Sequence, residues 1–346
     1  MGVSISELLA RKEIKIEELS NRKIIVDAPM WLYQFLSSIR QSNGAHLTDE
    51  RGNPTSHLVG LSSRIPNLLE KNIKLAFVFD GKPPELKSKE IIKRRTAKID
   101  AEKKYNEAFE AGDEKEMRKY AMQATRVSTA MIDETKEFLK ALGIPVIQAE
   151  SEAEAQGAYM IKKGDAYALA TNDADALMFE APLIIRNLSL VGKRRQAGRS
   201  EYKIVSPEEI YLKENLKQLG IDNSQLIALC MLVGTDFNPG GIKGIGPKKA
   251  LKLVREKGSD NDSFSSLFKE AGWQDYFDFS WTDVFDVIKK MPVSDEYELK
   301  WSEPNPEKIK EILVEKHNFS AERVNSMLER INNINNKKQK SLGDFW

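Results

Sequence analysis

The sequence predicts an α/β fold, with a mostly parallel central sheet flanked by helices on both faces. Three observations carry this. Short β-branched runs end at loops: "KIIVDA" (23–28), "LAFVFDG" (75–81), "IPVIQA" (144–149), "AYALATND" (166–173) and "LIIRNLS" (183–189). Helical patterns fall between most of them, as in "MIDETKEFLKAL" (131–142) and "AEAQGAYMIKK" (153–163), and such alternation implies parallel pairing beneath two helical layers. With 346 residues, 41% of them hydrophobic, the chain can fill a substantial core.

Taken in order, the first strand ends at Asp27 and the second at Asp80. The segment 81–128 is polar and helix-forming but has little apolar periodicity, so it is expected to project from the core. The third strand leads into "SEAE" (151–154), which reads as a capping box with Ser151 as N-cap and Glu154 reaching back to it. The fourth runs into Asn172, Asp173, Ala174 and Asp175. After the fifth, Lys193, Arg194, Arg195 and Arg199 read as a basic loop. From about 205 to 330 the pattern is mostly helical, with a helix-hairpin-helix over 220–258, and 259–300 reads as core packing. Residues 1–330 are expected to form one domain, and "INNINNKKQKSLGDFW" (331–346) a flexible tail with an apolar tip.

The formal net charge is +1, from 53 basic and 52 acidic residues, so only the segregation of charge along the chain is informative. Cys230 is the sole cysteine; no intrachain disulfide can form, which fits a reducing intracellular setting. His46, His57 and His317 lie far apart and have no zinc-type spacing. No apolar run reaches the ~18 residues that span a membrane. "MGVSIS" matches a myristoylation pattern at Gly2, but no polybasic stretch adjoins it and one acyl chain anchors only marginally.

Ligands of such sheets gather outside the carboxyl ends of the strands. Asp27, Asp80, Glu152, Glu154, Asp173 and Asp175 fall there. Singly, each has a structural reading, because aspartate commonly ends strands and opens turns. Together, carboxylates at four adjacent strand ends would repel one another by several kcal/mol unless cations sat among them. Oxygen ligands without histidine or cysteine suit Mg2+ or Mn2+. Two such ions ~4 Å apart can activate a water and stabilise the leaving oxygen of a phosphodiester.

From Lys87 to Lys104 there are eight basic residues against three acids. Lys87 and Arg94, seven apart, would share one helix face and reach the acidic pocket; a solvated helix surface is the other reading. "GTDFNPGGIKGIGPKKALKLV", from Gly234, is more specific. Gly240, Gly241, Gly244 and Gly246 permit tight turns, and Pro247 suits a first helical position. The helix start would present free N–H groups to an anion, with Lys243, Lys248 and Lys249 around it. This is the layout of a hairpin that grips a nucleic-acid backbone without reading bases. Asp236, just ahead of it, offers a seventh carboxylate.

In order along the chain stand "MGVSISELL", "VDAPMWLYQFLSSIRQ", "FVFDGKPPELK", "QAESEAEAQGAY", "TNDADALMF", "RNLSLVGKRR", "VGTDFNPGGIKGIGPKKAL" and "QKSLGDFW". Over nearly its whole length the chain therefore resembles the flap endonucleases, structure-specific 5′ nucleases of DNA replication and repair. The resemblance implies two Mg2+ (or Mn2+) held by Asp27, Asp80, Glu152, Glu154, Asp173, Asp175 and Asp236. It implies that Lys87 and Arg94 contact the scissile phosphate and that a neighbouring base stacks on Tyr33. The resemblance also implies that the segment 81–128 forms a helical arch over the pocket. Gly2, after removal of Met1, would lie near the active site, and Arg40, Arg64, Lys193 and Arg194 would join in binding DNA. The hairpin at Gly240, Lys243, Gly244, Gly246, Lys248 and Lys249 would hold duplex, in the family with a monovalent cation such as K+. Gln339, Leu342, Phe345 and Trp346 fit the family's sliding-clamp-binding peptide. Without the basic extension of eukaryotic members, the sequence looks archaeal, and a cytoplasmic monomer is expected.

Some positions depart from the family pattern. Ala153 stands where glycine is usual, and Ala174 where tyrosine is frequent. "GLSSRI" (60–65) replaces an aromatic-rich "GLFYRT"; Arg64 is kept, but the basis for recognising a one-nucleotide 3′ flap is weakened. The expected activity is metal-dependent cleavage of branched DNA near the junction of a 5′ flap, with associated 5′–3′ exonuclease activity. The rivals are a sister 5′ nuclease, either a processive exonuclease or a bubble-cutting repair enzyme, a non-catalytic clamp-associated DNA-binding module, and a magnesium-dependent phosphatase, which the hairpin counts against. The short arch segment counts against the bubble cutter. A full set of acids facing phosphates counts against the pure binder.

Overall fold

The computed structural model describes residues 3–195 and 202–343. Its strands are β1 (Lys12–Glu13), β2 (Lys23–Asp27), β3 (Lys74–Phe79), β4 (Val146–Gln148), β5 (Ala168–Ala170), β6 (Leu183–Arg186), β7 (Gly192–Arg195), β8 (Tyr202–Val205) and β9 (Glu208–Tyr211). The main sheet has the order β1-β9-β6-β5-β2-β3-β4, and β7 and β8 pair separately. The five strands expected from the sequence are β2 to β6, and their pairings are all parallel. β9 and β1 extend one edge antiparallel and were not foreseen. β1 has two residues, and β9 opens with two glutamates, so neither has an apolar run to read.

The helices are α1 (Ala28–Ser38), α2 (Ser56–Glu70), α3 (Ser88–Glu110), α4 (Glu114–Gln123), α5 (Thr129–Ala141), α6 (Ala153–Lys162), α7 (Asp175–Met178), α8 (Leu212–Leu219), α9 (Asn223–Val233), α10 (Pro247–Arg255), α11 (Asn261–Glu270), α12 (Trp281–Lys289), α13 (Pro306–Lys310) and α14 (Ala321–Gly343). Strand side chains alternate between faces, so each face of the sheet builds its own core. Ile25, Val78, Leu169 and Ile184 enter one core with residues of α6 and α9 to α12. Ile24, Val26, Phe77 and Ile185 enter the other with α1, α2, α5 and α14. β2 lies between β3 and β5, so chain order reverses there, and the carboxyl ends of β2 and β5 flank the topological switch point.

α3 and α4 pack on each other and bury little beyond Ala101, Ala108, Met117 and Ala121, matching the polar composition of the segment. Phe264, Phe268, Trp273, Trp281 and Phe285 form one aromatic cluster, as core packing requires. No helix among the described residues is long and apolar enough to cross a membrane.

Several local expectations are corrected. Ser151 is not an N-cap: Glu152 holds that position of α6 with no side-chain cap, and Ser151 Oγ donates to the Lys82 carbonyl at 3.0 Å. The basic run after β6 begins as a strand, β7, rather than a loop. α14 runs on as far as Gly343, and its Val324, Met327, Leu328 and Ile331 are buried against the second core. Two of the histidines that lie far apart in sequence meet. His57 Nε2 is 3.0 Å from Glu134 Oε2, while His317 binds the other oxygen of Glu134 and, through Nδ1, Asp49 at 2.9 Å.

Candidate active site

At the carboxyl ends of the parallel strands, backbone N–H groups aim the acids. Asp27 ends β2 and caps α1, its Oδ1 accepting from the Met30 N–H at 3.1 Å. Asp80, one residue past β3, accepts from the Ala153 N–H at the start of α6 at 2.9 Å. Asp173 Oδ1 accepts from the Asp175 N–H at 3.1 Å, and Asp175 Oδ1 from the Val3 N–H at 2.6 Å. The Thr171 hydroxyl is 3.1 Å from Asp27 Oδ2 and 3.1 Å from Glu154 Oε1. Acids from β2, β3, α6 and the loop after β5 are thereby joined into one cluster.

Their electrostatics record crowding. Burial, then Asp80 and Asp173, pushes Asp27 up to about 7. Burial, then Asp173, Asp27 and Asp175, pushes Glu154 well above its ordinary value, and burial with Asp173 does the same to Asp175. Burial raises Asp80, and raises Glu152 even though Lys87 opposes it. Asp236 goes the other way: burial acts upward, but Lys87 and Arg94 outweigh it and hold the carboxyl down.

Those two bases descend from the foot of α3. Lys87 Nζ is 2.5 Å from Glu152 Oε2 and 3.4 Å from Asp236 Oδ2. Arg94 Nη1 is 3.2 Å from Asp236 Oδ2, its Nη2 binds the other oxygen, and its Nε holds Glu90 at 2.8 Å. Among the described residues no three acids already stand in ligating geometry, and two of the seven, Glu152 and Asp236, are turned onto these bases. The donor set nevertheless fits a hard divalent cation. It is all oxygen, largely buried, and holds more carboxyl groups than Lys87 and Arg94 pair with.

The remaining residues singled out from the sequence are spread over the fold. Tyr33, on α1, is 44% exposed, and Lys98 Nζ lies over its ring, 5.6 Å from the centroid. Arg40 and Arg64 are engaged within the fold: Arg40 binds the Gly44 carbonyl at 2.6 Å and Thr125, and Arg64 the Val191 carbonyl at 3.1 Å. Lys193 and Arg194 stand on β7, and Gln339 and Leu342 on α14. Gly2, Phe345 and Trp346 lie outside the described residues.

Between α9 and α10 the glycine-rich hairpin forms as expected. Gly240, Gly241 and Gly244 have φ of 87°, 55° and 83°. Gly246 is the N-cap of α10 with no side-chain cap, and Pro247 opens the helix. The hairpin folds back so tightly that a Cβ on Gly241 would lie 2.3 Å from the Val233 carbonyl carbon. Lys243, Lys248 and Lys249 are exposed around it.

Sequence reasoning passed over Thr171 and the Val3 N–H. A polar residue directly after an apolar strand was the available signal for Thr171. None existed for a backbone N–H.

The models of the XPG N-terminal domain and the XPG I-region match residues 1–101 and 143–236. Flap endonuclease 1 of Thermococcus onnurineus is 48% identical over 346 residues, covering 100% of this chain and 99% of that protein. Flap endonuclease 1 of Pyrococcus furiosus is 47% identical with 100% and 99% coverage. Among solved structures, flap endonuclease-1 from Methanococcus jannaschii aligns with a TM-score of 0.75 at 35% identity, covering 97% of this chain and 100% of that one. The catalytic core of Rad2 in complex with DNA substrate shares the fold, with a TM-score of 0.67 at 24% identity over 94% of this chain and 97% of that one.

Proposed function

The chain belongs to the flap endonuclease family, in its archaeal type, and on that premise we propose that it cuts branched DNA at 5′ flaps using two divalent ions. It is a nuclease that acts on DNA in replication and repair, and divalent metal use is general to its family. The finer assignment is ours. Asp27, Asp80, Glu152, Glu154, Asp173, Asp175 and Asp236 would hold two Mg2+ or Mn2+. Such ions would supply the Lewis acidity that activates a water and steadies the leaving oxygen.

The chain's own residues do the rest. Lys87 and Arg94 orient the scissile phosphate and balance the charge that grows on it. When a phosphate enters, they would exchange Glu152 and Asp236 for its oxygens, which would leave both acids free to serve as metal ligands. Tyr33 stacks a base beside the cut. The pair α3–α4 acts as an arch admitting the 5′ strand. The N–H groups and lysines of the hairpin grip the duplex backbone, with K+ as a candidate ion there. Lys193, Arg194, Arg40, Arg64 and Gly2 complete the DNA contacts. Residues 1–330 would work as one nuclease domain, as a cytoplasmic monomer. Gln339, Leu342, Phe345 and Trp346 would dock a sliding clamp.

The observation that carries the reading is the meeting of Lys87 and Arg94 with Asp236 at the rim of a buried acidic cluster. The test is cleavage of labelled 5′-flap, nicked-duplex and bubble substrates with and without Mg2+. Mg2+-dependent cutting near the flap junction is expected. A preference for nicked duplex or bubble would move the protein to a sister activity, and metal-independent cutting would refute the ligand assignment.

A further inference from the structure

At the centre of the acidic cluster stands a neutral side chain. Thr171 follows β5 directly and is completely buried. Its Oγ1 accepts from the Asp173 N–H at 3.1 Å and stands 3.1 Å from both Asp27 Oδ2 and Glu154 Oε1. A hydroxyl has one proton and two lone pairs. The Asp173 N–H occupies one lone pair, so the single proton lies between oxygens delivered by β2 and by α6. The other oxygen of Asp27 is fixed by the Met30 N–H. One atom thus relates the positions of three acids from three elements.

We propose that Thr171 is a positioning residue, whose hydroxyl sets the separation and orientation of Asp27 and Glu154 so that their free lone pairs face one cation. This rests on the reading of those acids as ligands of divalent metal. Two buried carboxylates left facing a methyl group would repel and turn apart, and the ion would have to be bound while drawing them back. Partners outside the ligand shell commonly change metal affinity by about 10–100-fold. A hydroxyl that only completed the hydrogen bonds of a strand end would influence folding stability and leave metal affinity alone.

The comparison is wild type, Thr171→Val and Thr171→Ser. Binding of Mn2+ is read from the loss of the electron paramagnetic resonance signal of the aqueous ion, which needs no turnover, and metal-free melting temperature reports the fold. Thr171→Val should bind Mn2+ at least ~10-fold more weakly, while Thr171→Ser, which keeps the hydroxyl, should bind like wild type. In single-turnover cleavage, the valine variant should recover rate as Mg2+ is raised. Equal Mn2+ affinity in valine and wild type overturns the proposal, and so does an equal loss in serine and valine. If valine lowers the metal-free melting temperature, Thr171→Ala replaces it under the same criteria. Absence of Mn2+ uptake by wild type overturns the ligand reading itself, an outcome distinct from wild-type uptake matched by valine.

Discussion

Lys87 and Arg94, two helical turns apart at the foot of α3, converge on a single carboxylate, that of Asp236. The shared partner holds both cations over the acidic cluster before any substrate arrives. A phosphate entering between them needs no long side-chain search. Replacing either base with alanine should lower the single-turnover rate on a 5′ flap by roughly 100–1,000-fold, the range for losing one preorganised electrostatic contact. Affinity for DNA should change little, because phosphate contacts spread over the whole interface dominate it. An unchanged single-turnover rate would remove these residues from the chemistry.

Asp175 is buried beside Asp173, and neutralising it relieves repulsion while preserving an acceptor for the Val3 N–H. Asp175→Asn should therefore abolish cleavage yet raise the metal-free melting temperature, by roughly 2 °C per kcal/mol of repulsion relieved. The same variant should gain less from added Mg2+ than wild type does. Differential scanning calorimetry with and without Mg2+ checks both signs. A fall in metal-free stability would contradict the crowding described above.

Acid should weaken the fold at Asp49, away from the acidic cluster. Burial alone would raise the pKa of Asp49, but the Asn53 side chain and N–H, with His317 and the Arg51 N–H, outweigh it and bring the value to about 2. Because the folded value lies below the unfolded value of about 3.9, the unfolded chain binds this proton more readily. The stabilisation is complete above about pH 4 and is lost as pH falls through about 2. Urea midpoints measured from pH 5 downward should fall more steeply for wild type than for Asp49→Asn. Parallel profiles would exclude the contribution.

The hairpin separates charge from shape. Lys248→Ala should weaken DNA binding alike on all sequences and reduce the slope of log affinity against log salt by about 1. Gly241→Ala places a side chain at φ 55° and against the Val233 backbone. It should cost about 1–3 kcal/mol or more in stability and loosen duplex binding without changing that slope. Identical salt slopes for Lys248→Ala and wild type would place that lysine off the phosphates.

Much of this was legible before any coordinates. Parallel strands bury both faces, so β2 to β6 are written as apolar runs, and the acids that break those runs mark strand ends and hence the ligand side of the sheet. What escaped has a physical reason in each case. β9 lies between β1 and β6 and mixes charges with two apolar residues, so no periodicity betrays it. The "SEAE" pattern fits a capping box, but Ser151 is drawn away by the Lys82 carbonyl, a tertiary contact that local spacing cannot encode. His57 and His317 meet through Glu134 across 260 positions. Only the fold brings them together.

The sheet's two cores put α9 and α10 on one face and α14 on the other. That division has a practical meaning for biosensor and single-molecule work. A tether attached at the far end of α14 would leave the hairpin free to engage oligonucleotides in flow. Amine-reactive immobilisation would reach Lys243, Lys248 and Lys249 among the exposed lysines and risk masking the surface under study.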